Sequence, residues 1–116
     1  MKQYPTKKLI WMITSGEGKY KVFLEKKELD DDLIFILGGG EKSHVGGVVI
    51  CEPRKKTKVV SLENHYDYKV LRPIAEKACK KYNKTVITLG GIHIDNATKK
   101  EIDIIVKNCT ELLECI

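Results

Sequence analysis

Seven apolar residues, Ile102, Ile105, Val106, Cys109, Leu112, Leu113 and Ile116, recur at helical spacing and form one continuous stripe. A helix with such a stripe has to lay it against another apolar surface, which the rest of the chain must supply. Thr98 and Glu101 form a capping box that sets where this helix starts. A second stripe lies upstream, at Leu71, Ile74, Ala75, Ala78, Cys79 and Tyr82. Pro73 is awkward inside it, because the ring removes a backbone donor. Either the regular helix begins close to Arg72, or residues 67–71 form a first turn with a kink.

The surface for these helices is read from the first half of the chain. Residues 9–14 are a short apolar run that ends in the turn-forming cluster Ser15-Gly16-Glu17-Gly18. Tyr20, Val22 and Leu24 then share one face of a second strand, with Lys21, Phe23 and Glu25 on the other. Asp30-Asp31-Asp32 breaks the pattern, and residues 33–37 are a continuous apolar strand. Residues 45–51 form a fourth strand, thinned by Gly46 and Gly47. After the turn at Glu52-Pro53-Arg54-Lys55-Lys56 come a fifth strand over residues 57–62 and, between the helices, a sixth over 84–89. Hairpin connections imply a mainly antiparallel sheet. The expected fold is α+β: a mainly antiparallel sheet of about six strands, with two helices from the C-terminal half packed on it. With no linker or internal repeat, residues 1–116 read as a single domain.

Composition narrows the function classes. With 42% hydrophobic and 32% charged residues, the chain is globular rather than disordered. The net charge of +5 invites an anionic partner. Its lysines, however, are dispersed in pairs, and Arg54 and Arg72 are the only arginines, whereas specific nucleic-acid readers rely on arginine forks and interleaved aromatics. Nucleic acid is therefore disfavoured as a partner. Cys51, Cys79, Cys109 and Cys115 contain no CxxC pair, which rules out a zinc ribbon or thioredoxin-type motif. Cys79 and Cys109 read as small buried hydrophobes, and Cys51 has apolar neighbours that argue against a reactive, exposed thiol. The apolar run at the N-terminus is too short for a signal peptide or a membrane span. A cytoplasmic protein with no membrane attachment is the expectation.

Three segments are more constrained than a core requires. Gly38-Gly39-Gly40-Glu41-Lys42-Ser43-His44-Val45-Gly46-Gly47 is glycine-rich, and consecutive amides there can form a concavity for an anion. Its spacing fits neither the P-loop nor GxGxxG, and on spacing alone a flexible hairpin loop followed by a bulged strand is the better account. Leu62-Glu63-Asn64-His65-Tyr66-Asp67 places His65 near a helix N-terminus, with Asn64 or Asp67 as a plain cap in the simpler account. Gly90-Gly91-Ile92-His93-Ile94-Asp95-Asn96-Ala97-Thr98 takes a strand through two glycines and His93 into a capped helix, a ready phosphate site. Helix capping does not explain Gly90-Gly91 followed by His93. All three histidines of the chain lie in these segments, each at a strand end, so they can converge at one sheet edge. A three-histidine metal site is possible but not favoured, since neither HxH nor HxxxH is present.

The same residues carry a family resemblance. Gly91-Ile92-His93-Ile94-Asp95-Asn96-Ala97-Thr98 is similar to the signature Gly-Ile-His-Ile-Asp-Asn-Ala-Thr of the prenylated-flavin chaperones, the small D-type subunits that accompany hydroxyarylic-acid decarboxylases of the gallate type. Ser43-His44-Val45-Gly46-Gly47-Val48-Val49 resembles their Pro-His-Ile-Gly-Ala-Val-Ala, with Ser43 in place of proline. Asn64-His65-Tyr66 stands where the family has Gly-His-Lys, and Arg72-Pro73-Ile74-Ala75-Glu76 resembles a family run that includes the proline. The resemblance spans residues 33–107.

It implies a fold similar to proteasome assembly chaperones, a homodimer, and a non-catalytic protein that holds prenylated flavin mononucleotide or FMN and delivers it to a decarboxylase apoenzyme. The implied ligand contacts are Gly38, Gly39, Gly40, Gly46, Gly91 and Asn96 near polar groups, His44, His65 and His93 on phosphate or ring edge, and Val45 and Ile92 against the flavin face. Two alternatives stay open: a protein-assembly chaperone without cofactor, and a small metal-dependent enzyme that uses the three histidines.

Overall fold

The computed structural model describes residues 11–62 and 65–116. The expected first residues of strand one, from Leu9, and the Asn64 cap lie outside the described residues. In chain order the elements are β1 (Trp11–Ser15), a single 3-10 turn (Gly18–Tyr20), β2 (Val22–Glu28), β3 (Leu33–Gly39), β4 (Lys42–Cys51), β5 (Lys58–Ser61), α1 (Tyr68–Tyr82), β6 (Val86–His93) and α2 (Lys99–Glu114). Six strands and two C-terminal-half helices give the expected α+β architecture.

The sheet order is β1-β2-β3-β6-β4-β5. Most pairings are antiparallel, but β6 runs parallel to β3 and antiparallel to β4. This corrects the reading of β3 and β4 as a simple hairpin. The turn between them looks like hairpin chemistry in sequence, yet it straddles a gap that β6 fills later. Gly40 bridges to His93, and the Glu41 amide donates to the His93 carbonyl at 2.8 Å, so the turn clasps the end of the inserted strand.

Both helices pack on one face of the sheet. Val22, Leu24, Leu33, Phe35, Leu37, Val49 and Val86 meet Leu71, Ile74, Ala75, Ala78 and Cys79 of α1 and Cys109 and Leu112 of α2. Fully burying each of the larger side chains contributes about 1.5–3 kcal/mol. Helix α1 starts five residues ahead of Pro73, so residues 68–71 do form the turn that precedes the proline. Tyr82 departs from the expected buried stripe: it closes the last helical turn and is 39% exposed. Ile102 and Val106 also stay largely uncovered, and they reappear in the cavity described below.

The opposite face of the sheet is apolar as well. Ile34 pairs with Ile87, Ile36 and Val48 flank Leu89, Ile50 pairs with Ile87, and Val60 pairs with Val48. Strand alternation points these side chains away from the helices. A one-sided antiparallel sheet ordinarily presents polar residues there.

Helix α2 begins at a reciprocal cap: the Glu101 amide donates to Thr98 Oγ1, and the Thr98 amide donates to Glu101 Oε1, each at 3.1 Å. The Glu101 carboxyl is held down to about 2 by Lys19, by the Thr98 amide and by the Tyr20 hydroxyl. A depressed carboxylate stabilises the fold above its ordinary range, and that contribution is lost as pH falls through about 2. Glu101→Gln is therefore expected to flatten the acid limb of the stability curve between the ordinary glutamate range and that value. Thr98→Ala is expected to cost about 1 kcal/mol at neutral pH. Urea unfolding across pH checks both, and an unchanged acid limb in Glu101→Gln would refute the assignment.

Candidate functional site

The site is built where β4, β6 and α1 meet. Asp67 occupies the position ahead of α1 where a cap is expected, but its side chain caps nothing. Its carboxylate lies across the ends of two adjacent inner strands: Oδ1 accepts the Ile92 amide of β6 at 3.0 Å, and Oδ2 stands 3.1 Å from His44 Nε2 of β4. One carboxylate thus ties three elements together. Sequence reasoning missed this role, because an aspartate before a helix reads first as a cap.

The glycines are the sequence signal that goes with the pair. A Cβ on Gly46 would sit 1.9 Å from Asp67 Oδ2, and one on Gly91 would sit 2.3 Å from His44 Cδ2. No side chain fits at either position while the pair is in place. The strand does not stop at Gly90-Gly91, as expected, but continues to His93. Gly91 is kept bare because the His44 ring packs over it.

The three imidazoles converge. The His44 ring centroid is 4.6 Å from that of His65 and 5.8 Å from that of His93, and His93 Nε2 is 2.7 Å from Asp95 Oδ1. These rings form one end of a cavity of about 590 Å³, within the range of small-molecule sites. Val70 of α1, Ile92 and Ile94 beyond it, and Ile102, Ile105 and Val106 of α2 form its apolar wall. Tyr66, 69% exposed, and Lys69 stand at the same cavity, with the Lys69 ammonium 5.4 Å from the Tyr66 ring. Ile102 and Val106, half-exposed on an otherwise packed helix, are wall residues that the stripe in the sequence disguised as core. Beneath them, the Cys109 thiol is pushed up to about 12, by burial first and by the Asp67 charge second, so it stays protonated.

Of the expected ligand contacts, His44, His65, Ile92 and His93 line the cavity, with Gly46 and Gly91 packed under the His44–Asp67 pair. Gly38, Gly39, Gly40, Val45 and Asn96 do not line it. The glycine-rich segment is not an open loop of free amides. Gly39 donates to Ser43 Oγ, Gly40 to the Lys21 carbonyl and Glu41 to the His93 carbonyl. Val45 is 52% exposed and outside the cavity. Asn96 sits in a turn with a φ of 50°, a left-handed conformation that asparagine tolerates. Ahead of α2 the Asp95 amide donates to Glu41 Oε1, and the Thr98 and Glu101 amides are taken up in their capping box. The polar side chains that line the cavity are the three imidazoles, Asp67, Tyr66 and Lys69. Among the described residues, no group of three or more His, Cys, Asp or Glu side chains is disposed to hold a metal ion. No described helix is long and apolar enough to cross a membrane.

A family model described as a prenylated flavin chaperone LpdD-like domain matches residues 16–116. The fold is similar to a chain in the crystal structure of a novel chaperone complex for yeast 20S proteasome assembly, with a TM-score of 0.53 and 13% identity, covering 93% of this chain and 98% of that one. At that identity the likeness shows the fold alone. No curated protein sequence matches the chain.

The clearance over the pair is open to test. Gly46→Ala is expected to destabilise the protein by about 1–3 kcal/mol through overpacking against the carboxylate. In an Asp67→Ala background the same substitution should cost much less, giving a coupling energy above about 0.5 kcal/mol in a urea double-mutant cycle. Additive effects would show that Gly46 does not make room for Asp67.

Proposed function

The chain belongs to the LpdD-like prenylated flavin chaperone family, and on that premise we propose that its cavity holds prenylated flavin mononucleotide, or FMN, and hands it intact to a decarboxylase apoenzyme. The observation that carries this reading is the mixed lining of the cavity. Three clustered imidazoles, Asp67 and Lys69 share it with the branched aliphatic side chains of Val70, Ile92, Ile102, Ile105 and Val106. Such a lining suits a ligand with a phosphate or polar ring edge joined to a flat apolar body.

In this reading His44, His65 and His93 bind the phosphate or the polar edge of the ring. Asp67 acts behind them by holding His44 in place, since it already engages His44 Nε2 and the Ile92 amide. Val70, Ile92, Ile102, Ile105 and Val106 take up the ring and its prenyl-derived part. The protein acts by binding and release, without catalysis. Its four free cysteines suit a reducing cytoplasm.

A homodimer accompanies this reading. The apolar sheet face of Ile34, Ile36, Val48, Ile50, Ile87 and Leu89 spans three adjacent strands, β3, β6 and β4. Two copies related by a twofold axis can bury it against itself, sheet on sheet, about 10 Å apart.

Flavin fluorescence quenching tests the cavity. With each charged hydrogen bond contributing about 1.5–3 kcal/mol, loss of two of them in His44→Ala plus His93→Ala should weaken flavin binding about 100-fold or more. Ile102→Asp, which keeps the imidazoles and charges the wall, should also abolish binding. Undiminished quenching in the double variant would remove the histidines from the site. Sedimentation of Leu89→Lys against the unmodified protein tests the sheet face, and an unchanged sedimentation coefficient would place any dimer contact elsewhere.

A further inference from the structure

At the end of the sheet remote from the histidines, two thiols from different elements share a second cavity. Cys51 is the last residue of β4, and Cys79 lies in the last turns of α1. Both line a space of about 370 Å³ whose other walls include Arg54, Lys55 and Lys80. The side chains are largely covered, with 7% and 4% exposure, yet each faces that opening. Thr57 Oγ1 stands 3.8 Å from Cys51 Sγ and 3.1 Å from Glu76 Oε2. Glu76 is one helical turn ahead of Cys79, on the same side of α1, so the Thr57 hydroxyl links the Cys51 end of β4 to the turn that carries Cys79.

The two thiols are not equivalent. Cys79 is pushed up to about 11, by burial first and next by the neighbouring Cys51 thiol. Cys79 therefore keeps its proton, and Cys51, the less covered of the two, is the sulfur placed to meet a peroxide first. Arg54, Lys55 and Lys80 share the cavity wall with the carboxylates of Glu52 and Glu76.

We propose that Cys51 and Cys79 form a dithiol–disulfide pair oxidised by a peroxide, with Cys51 as the first sulfur to react and Cys79 as the resolving one. In the first step the Cys51 thiolate attacks one peroxide oxygen and the O–O bond breaks. The leaving hydroxide takes up a proton and departs as water, and Cys51 becomes a sulfenic acid. In the second step the Cys79 sulfur attacks the Cys51 sulfur, the S–S bond forms and the S–O bond breaks. The oxygen leaves as a second water with the Cys79 proton. Two thiols and one hydrogen peroxide give one disulfide and two waters. The bond ties the end of β4 to the end of α1, the two elements that carry His44 and Asp67 at their opposite ends. This pair does not depend on what the histidine cavity holds, and transient oxidation suits a protein kept reduced at rest.

The test uses the full chain carrying Cys115→Ser, which removes the exposed thiol and its intermolecular disulfides. The protein is reduced, freed of reductant and given hydrogen peroxide in small molar excess. The intact mass is expected to fall by about 2 Da, with both thiols alkylated again after treatment with a thiol reductant. Peptide mapping should find one cross-link, between the Cys51 and Cys79 peptides. In a Cys79→Ser variant, a 1,3-diketone probe should capture Cys51 as the sulfenic acid, while Cys109→Ser should leave the cross-link unchanged. The proposal is overturned if both thiols remain open to alkylation after peroxide, if Cys51 passes to the sulfonic acid without a cross-link, or if the bond pairs Cys51 with Cys109. Mapping in the Cys115→Ser protein requires no substitution in the core, so a misfolded variant cannot obscure the result.

Discussion

A single carboxylate holds the candidate site together. Asp67 accepts the Ile92 amide and meets His44, so the start of a helix, the end of one strand and the start of another are fixed against each other. The group is only partly exposed, with 13% side-chain accessibility, and its partner His44 has 23%. At that burial, breaking the contact leaves a polar group without replacement by bulk water and costs more than a surface pair does. The position of the His44 ring, and with it the spacing of all three imidazoles, follows from this contact. Its steric cost has been met in the backbone, by glycines at positions 46 and 91.

The fold was legible where periodicity carries it. The stripe of α2 and its Thr98–Glu101 cap were visible in the sequence because side chains three and four apart face the same way, and the cap is a local motif. The place of β6 was not, because strand order is set by long-range pairing and a turn reads only its neighbours. Residues 38–43 have the composition of a simple hairpin loop and serve instead as a clasp around a strand that arrives fifty residues later.

The site was legible in part and for a similar reason. Three histidines at strand ends pointed to one edge, and the rings do meet. Asp67 was hidden behind its resemblance to a cap, and Ile102 and Val106 behind their resemblance to core. An apolar residue on a helical stripe looks the same in sequence whether it meets a sheet or an unfilled hollow. The glycine amides were read as ligand donors because their partners, Ser43 Oγ and the carbonyls of Lys21 and His93, become neighbours only once the sheet is assembled.

The late insertion of β6 has a consequence for the chain as it leaves the ribosome. Until residues 86–93 have been translated, β3 and β4 have no central strand between them, and the Asp67 carboxylate lacks the Ile92 amide that anchors it. The cavity therefore has no complete lining at any intermediate length short of that strand, and it gains Ile102, Ile105 and Val106 only when α2 follows.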